Sequence, residues 1–293
     1  MDIWTNIAQS AINGLMIGGV YALIAVGLTL IFGVMGIVNF AQGEFLMLGM
    51  YATWLIWRAA HINAYALFFV TAPLMFGFGY LVFKGLISRV VGKGDVMYIL
   101  LTIGLSIFAQ NVMLLIFTSD YQVINDPIKA AALHLGPLSF PLARVISFAA
   151  AVLLVAILNW VINRTELGRA MRACAENREV ATLLGIDTGA TYAIAFGIGS
   201  LLAGTAGALL SPVYYIYPGI GSLFGTTAFV VVVLGGMGSV VGALLGGLII
   251  GVVEALTGNF VSLDLQSLGT FLIFLLVLFF RPNGILGKGA TVK

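Results

Sequence analysis

The chain has 293 residues, of which 61% are hydrophobic and only 8% are charged, and its formal net charge at pH 7 is +2. A typical soluble domain carries about 25% charged residues, so these side chains cannot build a solvated surface around so apolar a chain. A mean hydropathy of +1.13 indicates that lipid surrounds most of it. The small net charge gives no support to nucleic-acid binding, and the single cysteine, Cys174, excludes an intrachain disulfide.

Long apolar runs occur throughout the chain, and a membrane-spanning helix needs about 20 mainly apolar residues. The runs are continuous and do not alternate in polarity, which favours helices over a β-barrel. We therefore predict an all-α, polytopic integral membrane protein, a helical bundle of about eight spans within a single transmembrane domain, residues 1–293. The candidate spans are Ile7–Phe32, Ala41–Trp57, Ala64–Phe83, Met97–Phe117, Leu142–Val161, Ala190–Leu210, Phe224–Leu256 (a long run) and Asp264–Phe280.

The distribution of basic residues predicts the orientation, because lysine and arginine in short loops mark the cytoplasmic side. Placing the three basic clusters inside puts the connections 118–141 and 211–223 outside. Arg58 and His61 then lie outside as a minor exception, and the side of the N-terminus stays open. The clusters are Lys84, Arg89 and Lys93; Arg164, Arg169, Arg172 and Arg178; and Arg281, Lys288 and Lys293.

Two stretches interrupted by glycine break the apolar pattern. The run Phe224–Leu256 is flanked by loops expected outside, so it must cross the membrane an even number of times or enter and return. Its centre, LGGMGSVVGALLGG, has a natural break at Gly235 and Gly236. A similar stretch, FGVMGIVNFAQGEF, covers residues 32–45. These two half-helix segments indicate a possible two-fold internal repeat, as in transporters whose discontinuous helices surround a midplane site.

Polar and small residues near these two breaks are the candidates for a substrate pathway. Polar groups at membrane depth are functional candidates by default, and the N-termini of broken helices can face a carboxylate. The alternative for the glycines is packing, since glycine at every fourth position lets helix backbones approach closely in lipid. Asn39 and Gln42 are favoured as pathway-lining groups, whereas the carboxylates Glu44 and Glu254 stay open, because burial near a membrane interface costs little. The predicted pathway residues are Asn39, Gln42, Glu44, Gly235, Gly236, Gly238 and Ser239.

Charge is concentrated in one loop: of the 13 basic and 11 acidic residues, eight lie within 164–187. In this loop Asn177 suits the N-cap of a two-turn helix of roughly 12 Å, Glu179 suits its first turn, and Gly185 its end. The segment is either a solvated loop whose arginines fix orientation or a docking helix for a soluble partner, and the pattern alone favours the solvated loop. The apolar residues of this helix cluster on one face: Val180, Leu183 and Leu184.

Three ordered motifs carry a resemblance to a known family. GRAMRACAENREVATLLGID follows NFAQGEFLMLGMY and precedes VVLGGMGSVVGALLGG, and the chain closes with FRPNGILG. Along essentially its whole length the chain resembles the LivH-type permeases of branched-chain amino-acid ABC importers. The resemblance implies a second, LivM-like permease, two cytoplasmic ATP-binding subunits, a periplasmic solute-binding protein and a place in the bacterial inner membrane.

The resemblance also implies how the chain obtains energy. In such permeases the segment that matches 172–187, within the cytoplasmic coupling loop 164–188, inserts a coupling helix into the ATPase, so ATP and magnesium bind to the partners. In agreement, the chain has no G-x-x-x-x-G-K-[ST] phosphate loop, and no cluster of histidine and cysteine suggests a metal. We therefore predict a transport subunit that is not an enzyme and binds no cofactor. The predicted coupling residues are Arg172, Glu176, Asn177, Arg178, Glu179, Leu183, Leu184 and Gly185.

The rival hypothesis is an ion-coupled secondary transporter or a channel. It requires a relay of buried Asp, Glu or His residues, and the deep spans offer almost none. This favours an importer that moves its solute by alternating access. Branched-chain or other neutral amino acids are the substrates that the resemblance implies, and related systems take urea, short amides or aromatic acids.

Overall fold

A computed structural model describes residues 3–136, 138–262 and 265–287. Within these residues the helices are α1 (Ile3–Met35), α2 (Gln42–Ala60), α3 (Phe68–Gly85), α4 (Asp95–Phe117), α5 (Leu142–Arg164), α6 (Glu166–Glu176), α7 (Arg178–Leu183), α8 (Thr188–Leu210), α9 (Ile220–Gly235), α10 (Val240–Phe260) and α11 (Gln266–Phe280). The all-α class predicted from sequence is confirmed. In the described residues α1, α3, α4, α5, α8 and α10 are long and apolar enough to cross a membrane, and α9 and α11 are shorter apolar helices. The number of spans stays a prediction.

Most basic residues lie at one end of the bundle, which we call the basic end. The α9–α10 turn reaches this end, because Ile285, which follows α11, donates a backbone hydrogen bond to the Leu234 carbonyl at 2.8 Å. Two members of the third predicted cluster, Lys288 and Lys293, lie outside the described residues. The basic residues described at this end are Lys84, Arg89, Lys93, Arg164, Arg169, Arg172, Arg178 and Arg281.

Helix α1 begins at the opposite end of the bundle. There Asn259, near the end of α10, donates hydrogen bonds to Asn6 Oδ1 at 3.0 Å and to Ser10 Oγ at 2.8 Å. If the basic end faces the cytoplasm, as basic residues in short loops predict, the start of α1 faces outside. The side of α1 thus follows from that orientation and stays a prediction.

Both predicted helix breaks are present. Helix α1 ends at Met35 and is followed by Gly36, whose φ is +69°. Helix α9 ends at Gly235, and Gly236 and Gly238 then adopt φ values of +101° and +88° before α10 begins. Positive φ is open to glycine because it has no Cβ to collide with the backbone. The long run 224–256 is therefore divided where its glycines predicted.

Helices α1 and α10 pack antiparallel through glycines. A Cβ on Gly18 would lie 2.6 Å from the Gly247 carbonyl oxygen, and a Cβ on Gly247 would lie 2.6 Å from the Ala22 nitrogen. Gly14 faces Gly251 one turn further along the same contact. Because these neighbours are backbone atoms, neither helix can give way without moving as a whole. The packing role predicted for the glycines of α10 is therefore present in the fold.

Gly247→Val is expected to destabilise the chain by about 1–3 kcal/mol, because overpacking this contact forces the two backbones apart. The matched control is Gly104→Ala in α4, where a Cβ meets no atom within 4 Å and alanine is the better helix former. Thermal unfolding followed by fluorescence-detected size exclusion in detergent measures both. Equal unfolding temperatures for Gly247→Val and the parent would contradict this packing.

A two-stranded hairpin at the opposite end was not predicted. Strand β1 (Ala132–Leu135) pairs antiparallel with β2 (Leu138–Pro141). Gln9 of α1 binds the hairpin through both amide atoms: it donates to the Ser139 carbonyl at 2.6 Å and accepts from the Ser139 N–H at 2.9 Å. Strands of four residues carry too little alternation for sequence periodicity to reveal them.

Candidate functional site

The first helix break opens onto a cavity of about 230 Å³ between α1, α2, α4 and α9, lined by both polar and apolar residues, which we call the Glu44 cavity. Three of the predicted pathway residues, Asn39, Gln42 and Glu44, line it. All three side chains are at most 2% exposed. The structure therefore brings together, in one buried place, the polar residues that the sequence placed at the first break.

The amides of Asn39 and Gln42 build the wall of this cavity. Asn39 Oδ1 accepts from the Ala41 N–H at 3.1 Å, and Asn39 Nδ2 donates to Gln42 Oε1 at 3.1 Å. Gln42 Nε2 in turn donates to the Gly199 carbonyl of α8 at 3.0 Å. These bonds hold the start of α2 against α8, so the two amides position the wall of the cavity.

Glu44 differs from the two amides because only one of its oxygens has a partner. Oε1 accepts from Ser106 Oγ of α4 at 3.1 Å. Oε2 is buried and accepts no hydrogen bond from the described residues. A buried carboxylate oxygen without a donor is energetically costly. The cavity is therefore suited to a ligand that brings a hydrogen-bond donor, and a cationic donor above all.

Helix α9 closes the cavity through small residues that the sequence analysis missed. Gly221 lies against the Glu44 carboxylate, and Gly43 of α2 packs directly on the Gly221 carbonyl. The rings of Phe40 and Phe229 stack across the cavity with centroids 6.1 Å apart. A signal was present: Gly221 and Gly225 recur at the four-residue spacing that marks close helix approach. The spacing could not show that these glycines pack against Gly43, which lies 178 residues before Gly221.

The other four predicted pathway residues lie at the basic end, away from the Glu44 cavity. Ser239 Oγ accepts from the Gly242 N–H at 3.0 Å and caps α10. The Gly235 carbonyl accepts from the Leu286 N–H at 3.0 Å, so the segment after α11 covers this turn. Gly236 is packed against the same segment. The packing alternative accounts for this geometry, and a pathway role for Gly235, Gly236, Gly238 and Ser239 stays a prediction.

Gly238 instead shares a cavity of about 110 Å³ with Arg172, a predicted coupling residue. The Arg172 guanidinium donates to the Ile162 carbonyl in the last turn of α5. Met171, next to it in α6, is buried against the bundle. Arg172 thus joins α6 to α5, and this side chain is not part of the apolar surface of α7.

The local signals read in the charged loop are confirmed. Asn177 Oδ1 accepts from the N–H groups of Glu179 at 2.9 Å and Val180 at 3.1 Å and caps α7. Gly185 adopts a φ of +84° and its N–H donates to the Thr182 carbonyl at 3.0 Å, which ends the helix. Helix α7 has six residues, about 9 Å, and is shorter than the predicted 12 Å.

The sequence analysis did not predict α6, the eleven-residue helix that precedes α7. Thr165 Oγ1 caps it by accepting from the Gly168 N–H at 3.2 Å. The signal was the apolar spacing of Leu167, Met171 and Cys174, which indicates an amphipathic helix. Burial raises the pKa of the Cys174 thiol, so the thiol stays protonated and is a packing group.

Helix α7 and Leu184, the residue that follows it, expose apolar side chains. The exposed fractions are 86% for Leu183, 75% for Leu184 and 49% for Val180. Apolar residues clustered in this way on a charged surface mark an interaction site. Arg178 at the start of α7 lies over the Tyr192 ring of α8 at 5.9 Å. The exposed charged members of the predicted coupling set are Arg172, Glu176, Arg178 and Glu179.

A bundle of apolar helices, a cavity lined by buried polar side chains and an exposed amphipathic loop at the basic end are the features of a multi-pass membrane transport protein. Residues 10–280 match the protein family described as the branched-chain amino acid transport system permease component. The chain therefore belongs to this family, the permease components of branched-chain amino-acid ABC transport systems, as the sequence motifs predicted.

Curated relatives agree with the family. The chain is 35% identical to the high-affinity branched-chain amino acid transport system permease protein BraD of Pseudomonas aeruginosa, and 34% identical to LivH of Salmonella typhimurium. Each alignment covers 97% of both proteins. The chain is also 27% identical to the permease protein LivM of Escherichia coli, over 91% of this chain and 68% of LivM. No solved structure matches the chain.

Proposed function

We propose that this permease belongs to an ATP-driven importer of the bacterial inner membrane that moves branched-chain or other neutral amino acids inward. Its partners are a second, LivM-like permease, two cytoplasmic ATP-binding subunits that hold ATP and magnesium, and a periplasmic solute-binding protein. Similarity to both LivH and LivM supports a pair of homologous permeases. The observation that carries the proposal is the exposed apolar surface of α7 in a chain without a phosphate-binding loop.

The Glu44 cavity is the proposed segment of the solute path. A neutral amino acid at physiological pH carries an ammonium and a carboxylate, and the ammonium can supply the donor that Glu44 Oε2 lacks. Leu28 and the stacked rings of Phe40 and Phe229 form an apolar wall beside it. This arrangement suits an amino acid with a hydrocarbon side chain better than it suits urea or a short amide.

Helix α7 is the proposed coupling helix. When the ATP-binding subunits close, they displace the surface formed by Val180, Leu183 and Leu184. The displacement reaches α8 directly, because Asp187 caps α8 by accepting from the Ala190 N–H at 2.9 Å. Arg172 links the same loop to α5. Movement at one cytoplasmic contact is therefore transmitted to two spanning helices, α5 and α8, as alternating access requires.

The test is copurification from native membranes followed by transport in proteoliposomes. We expect the chain to bring down a pair of ATP-hydrolysing subunits, and uptake of labelled leucine to require ATP and the solute-binding protein. The ion-coupled rival predicts something different, because the chain alone would then accumulate solute in response to a proton or sodium gradient. That result would refute the proposal.

Glu179→Arg is expected to uncouple ATP hydrolysis from uptake and to leave membrane insertion unchanged. An arginine in the first turn of α7 places a positive charge at the positive end of the helix dipole and within the proposed contact. The matched control is Glu166→Arg, which reverses an exposed charge in the first turn of α6. Its ion pair with Arg169, at 3.3 Å, is exposed and contributes little. Unchanged uptake in Glu179→Arg would remove α7 from the coupling path.

A further inference from the structure

A second and larger polar cavity, of about 460 Å³, lies at the end of the bundle opposite to the basic end. Helices α1, α5, α10 and α11 and the loop after α8 form its walls. We call it the outer cavity. It shares no lining residue with the Glu44 cavity. Its polar lining comprises one guanidinium, one carboxylate, three carboxamides, a phenol and a hydroxyl, from Arg144, Glu254, Asn13, Asn259, Gln266, Tyr214 and Ser10.

The two charged groups of the outer cavity are not paired with each other. Over the described residues the one ion pair within 4.0 Å is Glu166–Arg169, so Arg144 and Glu254 each line the cavity without an opposite charge at contact distance. Glu254 Oε2 is also buried and accepts no hydrogen bond from the described chain. Arg144 and Glu254 are both partly buried, and two unpaired groups of opposite charge that line one cavity suit a ligand that carries both charges.

Other polar residues of the cavity wall are held in place by contacts within the chain. Asn259 Nδ2 donates to both Asn6 Oδ1 and Ser10 Oγ, which fixes the mouth of the cavity between α10 and α1. Burial raises the pKa of Tyr214 to about 12, and Arg144 acts to lower this pKa while Glu254 acts to raise it. The Tyr214 hydroxyl therefore lies within electrostatic reach of both charges and stays protonated as a hydrogen-bond donor.

We propose that the outer cavity binds one small zwitterion, with its anionic group at Arg144 and its ammonium group at Glu254. Guanidinium suits a carboxylate or a phosphate through parallel N–H donors, and a carboxylate suits a primary ammonium. A free α-amino acid and the headgroup of phosphatidylethanolamine share this chemistry. The site is separate from the proposed solute path through the Glu44 cavity and does not depend on it.

A photoreactive leucine analogue that keeps both charged groups tests the site directly. The chain is assembled with its partner subunits in nanodiscs of phosphatidylglycerol, which has no ammonium, and the labelled peptides are identified by mass spectrometry. We expect labelling of the peptide that contains Ala255 to Asn259. Arg144→Gln and Glu254→Gln are each expected to reduce it about tenfold, because each removes a charge-assisted contact. Arg144→Lys retains the charge and should retain part of the labelling.

The matched control is Arg89→Gln, which removes an exposed guanidinium at the basic end and should leave labelling unchanged. Labelling of peptides near Phe229 reports the Glu44 cavity separately. Glu44→Gln should lower that second signal and leave the outer cavity labelled, so failure of one site is distinguishable from failure of the other. All variants are first compared with the parent by size exclusion, and only monodisperse assemblies are labelled.

Nanodiscs that contain phosphatidylethanolamine identify the source of the zwitterion. If the lipid headgroup occupies the site, labelling falls in these nanodiscs, and native mass spectrometry finds this lipid retained by the parent but lost from Arg144→Gln and Glu254→Gln. If a free amino acid is the ligand, labelling is equal in both lipids. The proposal is overturned if the outer cavity is unlabelled in phosphatidylglycerol and retains no lipid, or if the charge-removing variants label and retain lipid like the parent.

Discussion

Replacing Leu183 and Leu184 together by serine is expected to abolish ATP-driven uptake while the chain still folds and inserts. Both side chains are largely exposed, so the substitution removes almost no packing within the chain. Burying a leucine in an interface contributes about 1.5–3 kcal/mol. Losing two of them therefore weakens the contact with an ATP-binding subunit by at least about 100-fold.

Affinity capture of the ATP-binding subunits by the solubilised permease measures this loss, and labelled leucine uptake in proteoliposomes measures its consequence. The matched control is Val96→Ser, which changes another exposed apolar residue in the first turn of α4, at the basic end but outside the charged loop. We expect Val96→Ser to bind and transport like the parent. Normal capture of the ATPases by the double variant would show that α7 is not the docking element.

The charged loop could be predicted well because its signals are local. Each signal acts on backbone groups within three or four residues. The signals are the cap at Asn177, the helix end at Gly185 and the cap of the next helix at Asp187. The two helix breaks could be predicted equally well from their glycines. Helix α6 was not predicted, although the amphipathic spacing of Leu167, Met171 and Cys174 was present in the sequence.

The cavities could not be predicted in the same way, because their walls join distant parts of the chain. Glu44 contacts Ser106 and Gly221, which lie on two other helices, and Gln42 donates a hydrogen bond to the Gly199 carbonyl. Sequence position grouped Gly238 with Glu44 because both follow a helix break. The fold separates them, because the first residues of α9 lie at the Glu44 cavity and its last residues lie at the basic end.

Glu44→Gln is expected to lower leucine uptake by about 10- to 100-fold, because an ammonium bound to a carboxylate contributes about 1.5–3 kcal/mol and a neutral amide does not replace it. Glutamine has nearly the same shape, and its Oε1 can still accept the hydrogen bond from Ser106, so the fold and the assembly with the ATPases should be unchanged. Initial rates of uptake in proteoliposomes, at equal amounts of assembled transporter, measure the effect.

The variants around Glu44 separate its charge from its packing. Ser106→Ala removes the 3.1 Å hydrogen bond to Oε1 but keeps the carboxylate, so we expect a loss of only a few-fold from a contact of this kind. Gly221→Ala places a methyl group against the carboxylate, where no space exists, and should reduce uptake at least as strongly as Glu44→Gln does. If Glu44→Gln transports normally while Gly221→Ala fails, the cavity acts through its shape, and the carboxylate is not what recognises the solute.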